Sequence, residues 1–393
     1  MGRAGHLVEQ PTGYTAFIPA ALTPDPPLEY DHALIGALAR ASDAVGRLDG
    51  VAQTLPNPDL FVAMYVRREA VLSSQIEGTQ STLNDVLAYE LEPGRYDLPD
   101  DVEEVVNYVR AMNYGLDRLT ELPLSLRLIR EIHAELLRSG RGAAEEPGEF
   151  RRTQNWIGPG GRSLRDATFI PPPPEEMLQA MGELELFLHA DHGLPPLIEC
   201  AFAHAQFETI HPFLNGNGRV GRLLIAFLLV HRGTLHRPLL YLSYYLKRHR
   251  AAYYDRLTAI REDGDWEGWV RFFLTGVQET AEEAVETARA VVDLRERHQA
   301  IAGDTAGVNG VKTLEVLFQR PLVNVNLLAE GLDVTFATAN RVMDALQSAG
   351  LVDEITGGRR NRIFRYSPYL HLFSEPETES SEGVPPQVTQ GRR

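Results

Sequence analysis

The stretch HPFLNGNGRVGR, residues 211–222, combines residue types that can bind a phosphate group and move a proton. Its Gly-Asn-Gly run precedes an apolar segment typical of a helix, so the backbone amides at this junction would converge on one point. Arg219 and Arg222 are three residues apart and would project from the first turn of one helix face. Two guanidiniums beside converging amides predict a polyphosphate site.

His211 stands at the other end of this stretch, and a neutral imidazole can accept a proton from a hydroxyl group. Asn215 could offer an amide oxygen to a magnesium ion that bridges the phosphates. We expect Phe213 and Leu214 to pin the loop to the core. The stretch lacks the Lys-Ser/Thr ending of a P-loop, so it does not indicate Walker-type ATPase chemistry. A metal pair of His204 and His211 is disfavoured because no third ligand is evident.

The stretch closely resembles the signature of the Fic family, His-x-Phe-x-Asp/Glu-Gly-Asn-Gly-Arg-x-x-Arg, and differs from it at one specified position. The resemblance implies a helical catalytic core that transfers AMP from ATP to a Ser, Thr or Tyr hydroxyl of a protein and releases pyrophosphate. It implies that His211 is the general base. The phosphate-binding residues that it implies are Gly216, Asn217, Gly218, Arg219 and Arg222.

The departure is Asn215, which stands where the family has Asp or Glu. An amide keeps an oxygen ligand but lacks the charge, and Mg²⁺ prefers carboxylate and phosphate oxygens. We therefore expect weaker Mg²⁺ binding and slower transfer than with a carboxylate. A different phosphate donor, or very low transferase activity, stays open.

A second motif is SSQIEGT, residues 73–79. Taken alone, Glu77 is a helix-end carboxylate with a solvated or structural role. The stretch also resembles the inhibitory motif Ser/Thr-x-x-x-Glu-Gly/Asn of Fic proteins, with Ser73 as its first position. The resemblance implies that Glu77 pairs with Arg222 inside the nucleotide site. Such a pair would remove a phosphate donor, repel the γ-phosphate and hold ATP in a non-productive pose.

Residues 150–173 contain two short β-prone pieces around a Gly-rich centre, which predicts a β-hairpin. They resemble the flap of Fic proteins. The residues expected to dock an extended target segment by strand addition are Ile157, Thr168, Phe169 and Ile170. By family position Tyr253 and Tyr254 help to wall the adenine pocket, and packing at a helix interface is the alternative. Trp266 and Trp269 are predicted core residues.

Helical periodicity dominates the remaining chain, so we predict a mainly α protein. The resemblance implies that it is a Fic-type helical bundle with a small β-hairpin flap, and we expect a winged helix at its C-terminal end. Residues 1–30 are Pro-rich and extended. The predicted helices lie in 31–91, where one helix stops at Gly50 and the next opens after Pro58, and in 101–120, 124–139, 174–190, 196–210, 219–231, 247–262 and 266–298. The predicted domains are an N-terminal helical region with the inhibitory helix (1–110), the catalytic core (111–298), a linker (299–310), a winged helix-turn-helix (311–372) and a disordered tail (373–393).

The C-terminal unit predicts two helices, with Thr335 capping the second, followed by a basic hairpin. This pattern resembles a winged helix-turn-helix. The arginines that could contact DNA phosphates are Arg359, Arg360, Arg362 and Arg365. However, the expected recognition helix, 336–348, carries one basic residue, Arg341. DNA binding and protein docking or dimerisation therefore both stay open.

Composition restricts the function classes. The 393 residues are 44% hydrophobic and 23% charged, as in ordinary globular proteins. With 38 basic and 54 acidic residues the net charge is −16, so the whole molecule is not an electrostatic nucleic-acid binder. The single cysteine, Cys200, excludes an intrachain disulfide and fits a reducing compartment. We see no signal peptide and no bilayer-length apolar run, and we expect a cytoplasmic protein without membrane partners.

Two functions follow. The first is a protein adenylyltransferase that uses ATP and Mg²⁺, is inhibited by its own Glu77 and modifies a hydroxyl-bearing target protein, which can be itself. The alternative is a nucleotide-sensing, DNA-binding regulator with a weakly active Fic core. A homodimer is left open, and the sequence does not name the target.

Overall fold

Residues 2–54, 58–94, 96–158, 164, 167–358 and 361–374 are described by the computed structural model, and they are mainly helical, as predicted. The helices are α1 (His32–Thr54), α2 (Pro58–Ile76), α3 (Leu83–Leu91), α4 (Val102–Leu119), α5 (Leu126–Leu136), α6 (Pro174–His189), α7 (Pro196–Ile210), α8 (Asn217–His231), α9 (Ser243–Arg248), α10 (Arg250–Asp263), α11 (Trp266–Gln319), α12 (Val325–Leu332), α13 (Phe336–Ser348) and α14 (Ser367–Leu370). The strands are β1 (Gly5–Glu9), β2 (Thr15–Pro19), β3 (Leu322–Asn324), β4 (Asp353–Glu354) and β5 (Ile363–Arg365).

Local sequence explains where several of these helices begin. Thr82 caps α3 in a capping box, in which its hydroxyl accepts from the Asp85 amide and the Asp85 carboxylate accepts from the Thr82 amide. Helices α6 and α7 each begin with a proline, whose missing N–H is harmless in the first turn. The predicted cap Thr335 accepts from the Thr338 amide at the start of α13.

Helices α7 and α8 form the centre of the bundle. They pack against each other, and α7 is buried on all sides because α6, α8 and α11 cover it. Around this pair, α1 packs along α11, α4 packs on α5, and α2 packs against α4 and α9. Trp266 and Trp269 lie in the core, as predicted, and the Trp269 indole donates to the Ala201 carbonyl at 2.8 Å.

The extended N-terminal region contains a β-hairpin in which β1 pairs antiparallel with β2, from Gly5 opposite Pro19 to Glu9 opposite Thr15. Among the described residues of the predicted flap, antiparallel pairing consists of one bridge between Ile157 and Phe169. Residues 159–163, 165 and 166, at the flap centre, lie outside the described residues.

The segment 299–310, which we predicted as a linker, is helical. Helix α11 runs past the predicted end at 298 to Gln319 and is broken once, at Gly307, where φ is +61°. The chain reverses direction at this break. The contact between the two arms shows this: Arg295 before the break donates to Glu315 after it at 2.7 Å. The small residues allow this reversal: a Cβ on Gly310 would lie 2.2 Å from the Ala302 carbonyl oxygen. Small-residue composition here reflects close helix packing rather than a linker, and the division into domains stays a prediction.

In the C-terminal unit, α12 and α13 are followed by the pair β4–β5, and β3 joins it to give the antiparallel order β3-β5-β4. Arg362, a candidate phosphate contact, instead donates to Asp344 and Gln347 of α13. Arg359, Arg360 and residues 375–393, most of the predicted disordered tail, lie outside the described ranges. The winged-helix interpretation stays a prediction. Across the described ranges, we find no helix that combines the length and the apolar character needed to cross a bilayer.

Candidate active site

The loop between α7 and α8 is shaped by two residues in the left-handed region. His211 ends α7 with φ +49°, and Gly216 caps the start of α8 with φ +77°. Helix α8 begins at Asn217, two residues earlier than predicted. The Asn217 side chain closes the loop on itself, because its oxygen accepts from the Phe213 amide at 2.8 Å and its nitrogen donates to the Phe213 carbonyl at 2.7 Å. The Asn217 side chain is therefore committed to the loop, and we assign its backbone amide to the predicted anion hole.

His133 of α5 contacts this loop and holds it in place. Its ring stacks on buried Phe213 with centroids 3.7 Å apart, and its Nε2 bonds to the Asn215 carbonyl at 3.0 Å. The Gly148 amide donates to Nδ1 at 2.8 Å, so Nδ1 cannot carry a proton and the ring is neutral. Burial lowers the pKa of His133 to about 4, in agreement with this hydrogen-bond pattern. Phe213 pins the loop as expected, whereas Leu214 is half-buried.

The imidazole of His211 is positioned by its backbone. Its carbonyl accepts from Arg151 Nε at 3.0 Å and from the Asn155 side chain at 3.3 Å. Its Nδ1 is buried and has no hydrogen-bond partner among the described residues. Burial, together with the positive charges of Arg261 and Arg151, lowers the pKa of His211 to about 4. His211 is therefore neutral at pH 7, the protonation state that a general base requires.

Arg222 and Glu77 come together as the resemblance implies. Arg222 Nη2 donates to Glu77 Oε1 at 2.8 Å and to the Ser73 carbonyl at 2.9 Å, and Nε donates to the Ser73 hydroxyl at 2.7 Å. The Arg222 side chain is 2% exposed and that of Glu77 is 40% exposed. The pair is thus buried at Arg222 and partly exposed at the carboxylate of Glu77.

Gly218 gives Glu77 room to reach the first turn of α8. A Cβ at Gly218 would lie 2.3 Å from Glu77 Oε1, so any larger residue would collide with the carboxylate. Burial opposes the charged form of Glu77, but the charge and hydrogen bond of Arg222 and the charge of Arg219 together hold its pKa below the ordinary value. A carboxylate therefore occupies the junction where the sequence predicts a phosphate.

Arg219 is held less tightly. Its Nη1 and Nη2 contact Glu104 and the Asn215 side-chain oxygen, each at 3.4 Å, and its buried Nε has no partner among the described residues. Glu104 is held mainly by Arg141 at 2.7 Å. Burial lowers the pKa of Arg219. Its donors are therefore available to an incoming oxyanion.

Tyr253 and Tyr254, the two tyrosines expected at the adenine pocket, differ in burial and in contacts. Tyr253 is fully buried, its hydroxyl bonds to His204 Nε2 at 2.9 Å, and its ring lies beside Trp269. These contacts correspond to the packing alternative. Tyr254 is half-exposed, with the Arg250 guanidinium 5.8 Å from its ring centre. His204 Nδ1 bonds to the Gly221 carbonyl, and no cluster of metal-ligating side chains occurs in the described part of the chain.

The flap residues lie beside the loop. The Ile157 amide donates to the Phe169 carbonyl at 2.8 Å, and the Ile157 carbonyl accepts from the amides of Thr168 and Phe169. On the other side, the Ile170 carbonyl accepts from the Phe17 amide of β2 at 2.9 Å. The N-terminal hairpin therefore already covers part of one flap edge.

Several residues of the site were missed in the sequence. Arg151 is buried and donates to the carbonyls of His211, Thr153 and Pro172, which ties the flap segment to the loop. Two carboxyls lie behind Arg222: Glu69 and Glu208, each with its pKa raised by burial to about 7. The one available signal was the position of Arg151 in GEFRRTQNWIG, the flap-like segment.

Comparison with known proteins adds to this geometry. The Fic/DOC family N-terminal model matches residues 35–117, and the Fic/DOC family model matches residues 123–229. The chain belongs to the Fic/DOC family. The second match contains the His211–Arg222 loop, and the first contains Glu77, so both partners of the ion pair lie in regions that define the family.

Curated relatives include a protein adenylyltransferase Fic of Drosophila persimilis, 32% identical over 184 residues, and one of Culex quinquefasciatus, 34% identical over 185 residues. Each match covers 46% of this chain and 33% of the relative, so the chain spans about a third of the length of these relatives. The crystal structure of a Fic family protein from Desulfovibrio desulfuricans G20 is similar in fold over 86% of this chain and 97% of that chain, with a TM-score of 0.59 and 21% identity.

Proposed function

We propose that this Fic/DOC protein is a protein adenylyltransferase that transfers AMP from ATP to a protein hydroxyl. The single observation that carries the proposal is the position of neutral His211 and of Arg219 and Arg222 around the start of α8. A base, a helix N-terminus and two arginines are what phosphoryl-group transfer to a hydroxyl requires. The curated relatives carry the name of this activity.

In the proposed reaction, the target hydroxyl gives its proton to His211 and its oxygen bonds to the α-phosphorus of ATP. The bond from the α-phosphorus to the bridging oxygen breaks, and pyrophosphate leaves with the electron pair. Arg219 and Arg222 would stabilise the negative charge on the phosphates, together with the amides at Gly216–Gly218. AMP passes directly to the target hydroxyl, without an intermediate bonded to His211.

Glu77 would keep this enzyme in a low-activity state. Its carboxylate accepts from Arg222 and lies against Gly218, so ATP phosphates would have to displace it or bind in a shifted pose. Displacement is feasible because 40% of the Glu77 side chain is exposed, and Glu77 directly follows the end of α2. The proposed inhibition is therefore competition of two oxyanions for one arginine.

Mg²⁺ is proposed as the cofactor. Asn215 would contribute its side-chain oxygen, which now contacts Arg219 at 3.4 Å, and the other ligands would be nucleotide phosphates and water. The metal would neutralise phosphate charge. Since Asn215 adds no charge of its own, the nucleotide would supply most of the binding.

The target segment would lie along the flap. The bridge between Ile157 and Phe169 gives this segment its extended form, and the adjacent Trp156 is 40% exposed. Because the Ile170 carbonyl is already bonded to Phe17, we propose that the target pairs with the edge containing Ile157. Main-chain pairing would place a hydroxyl near His211 with little demand on target sequence.

Intact mass spectrometry tests the proposed function. The Glu77→Gly protein, incubated with ATP and Mg²⁺ and a mixture of candidate proteins, should produce species heavier by one AMP, on itself or on a target. The Glu77→Gly/His211→Ala protein should produce none. If both proteins give the same spectra, or if the adducts have the mass of a phosphate, the proposed reaction is wrong.

A further inference from the structure

A cavity of about 320 Å³ lies on the opposite side of α2 from the catalytic loop. One wall is the outer face of α2, the second is the start of α3, and the third is the segment from β5 through α14 to the 3-10 turn His371–Phe373. Tyr65 of α2 contacts Phe373 edge to face at 5.5 Å, so these walls are packed together beside the cavity. The cavity is separate from His211, Arg219 and Arg222, none of which lines it.

The charged side chains that line this cavity are arginines. Arg68, Arg365 and His371 line it, and none of the described residues that line it is acidic. This is unusual for a chain with 54 acidic and 38 basic residues. Arg68 is paired with Glu283, which does not line the cavity, so the positive charge that faces the cavity is mainly that of Arg365, and such a surface favours an anion.

Arg68 has an unsatisfied donor. Its side chain is 8% exposed, its Nη2 donates to Glu283 at 2.7 Å, and its buried Nε has no hydrogen-bond partner among the described residues. A buried, unpaired guanidinium nitrogen is unfavourable unless a ligand or water completes it. Arg68 lines the cavity, so its guanidinium would bind an oxyanion placed there.

Ser367 orients Arg365, and its hydroxyl donates in turn to Asp353, the cross-strand neighbour of Arg365. Its Nε donates to the Ser367 hydroxyl at 2.9 Å, which fixes the guanidinium at the wall of the cavity. It forms no ion pair with any residue in the described ranges, whereas neighbouring Arg362 is paired with Asp344 outside the cavity. The two arginines thus face one space from different parts of the chain.

The rest of the lining is suited to an organic group. Leu72, Leu83 and Phe373 provide apolar surface, and Asn84 and Gln75 provide amides. Apolar walls with a few polar groups are typical of small-molecule sites. We propose that this cavity binds a phosphate monoester of mononucleotide size, with its phosphate between Arg68 and Arg365 and its organic part against the apolar wall.

A ligand there would link α2 to the C-terminal segment. Since Glu77 follows α2 directly, such a ligand would hold the helix, and with it the Glu77–Arg222 pair, in place. This consequence rests on the proposed function, but binding does not. The experiment therefore measures binding without any readout of AMP transfer.

Calorimetry and hydrogen exchange on the full chain, with AMP as the probe, test the proposal. AMP should slow amide exchange in residues 365–374, which lie outside the catalytic site, and adenosine should not. In Arg365→Gln, the AMP concentration that gives half-maximal protection should rise at least about tenfold. Arg365→Lys, which keeps the positive charge, should need a concentration close to that of the wild type. The matched control Arg362→Gln should behave as the wild type, as should Arg222→Gln, which alters the catalytic site.

Three results would overturn the proposal: no protection of residues 365–374 by AMP, equal protection by adenosine, or unchanged protection in Arg365→Gln. His211→Ala should bind AMP in this cavity as the wild type does. Loss of AMP transfer without loss of this protection would therefore count only against the adenylyltransferase assignment.

Discussion

Glu77 Oε1 accepts a hydrogen bond from Arg222 at 2.8 Å while lying against Gly218 in the first turn of α8. The carboxylate therefore occupies two features of a phosphate site at once, the guanidinium and the helix N-terminus. Arg222 is fixed from the other side by the Ser73 carbonyl and hydroxyl, so it cannot follow Glu77 away. Release of the site therefore requires movement of Glu77 alone.

The first prediction concerns Glu77→Gly. Removing the carboxylate frees one Arg222 donor and the space above Gly218, so AMP transfer should rise tens- to hundreds-fold, the range expected from a charge-assisted pair of a few kcal/mol. Transfer from radiolabelled ATP, including self-labelling, measures this change.

Glu77→Gln is the matched variant. It keeps the size and one acceptor oxygen but removes the charge, so its activity should fall between those of the wild type and Glu77→Gly. Equal labelling by all three proteins would contradict inhibition by Glu77.

Sequence reasoning identified the parts of the site that are contiguous in the chain. The motif 211–222 and the residues 73–77 are short, and their glycines, arginines and carboxylate have few alternative uses together. The contact of Glu77 with Arg222, across 145 positions, came from family resemblance rather than from periodicity. The helices were predictable because α4, α5 and α6 have clear apolar spacing.

The supporting residues were not predictable, for a physical reason. Arg151 and His133 act through backbone carbonyls and amides of distant segments, and any residue type offers those groups. Nothing in the sequence marks a carbonyl as an acceptor for a remote arginine. The reversal at Gly307 was missed similarly, because small residues indicate either a linker or close helix packing.

The second prediction concerns Asn215→Asp. The aspartate would add a charged oxygen ligand for Mg²⁺, so transfer by the Glu77→Gly background should reach half-maximal rate at a lower Mg²⁺ concentration, by about tenfold. A Mg²⁺ titration of AMP transfer measures the shift. Asn215→Ala, which removes the oxygen, should shift the dependence in the opposite direction. An unchanged Mg²⁺ dependence in Asn215→Asp would show that residue 215 does not contact the metal.

The third prediction concerns Arg151→Lys. One guanidinium satisfies the carbonyls of His211, Thr153 and Pro172, and an ammonium on a different stem cannot reach all three. The free energy of unfolding should fall by about 2–3 kcal/mol, as expected for buried acceptors left unpaired. Denaturant titration of the wild type and the variant measures this loss, and the m-value should be the same for both proteins.

Arg152 provides the control, since it is adjacent and exposed. Arg152→Lys should change the free energy of unfolding by less than about 0.5 kcal/mol. On the Glu77→Gly background, Arg151→Lys should also lower AMP transfer, because the backbone of His211 loses its main support. Equal stability of the two lysine variants would show that Arg151 does not hold the loop.

The last prediction concerns the pH dependence of stability at His133. Burial lowers the folded-state pKa to about 4, below the ordinary value of 6.5, so between these values the unfolded chain binds a proton that the folded protein excludes. The contribution of His133 is therefore complete above pH 6.5 and is lost as the pH falls toward 4. Glu69 and Glu208, with pKa values raised to about 7, act in the opposite direction, so the wild-type curve alone does not isolate the histidine.

We therefore compare the wild type with His133→Gln, which does not titrate. The difference in their unfolding free energy should shrink by on the order of 2–3 kcal/mol between pH 6.5 and 4. His32→Gln, at an exposed position, should run parallel to the wild type. A constant difference for His133→Gln would mean that the folded protein accepts the proton, which the Gly148 amide bond to Nδ1 forbids.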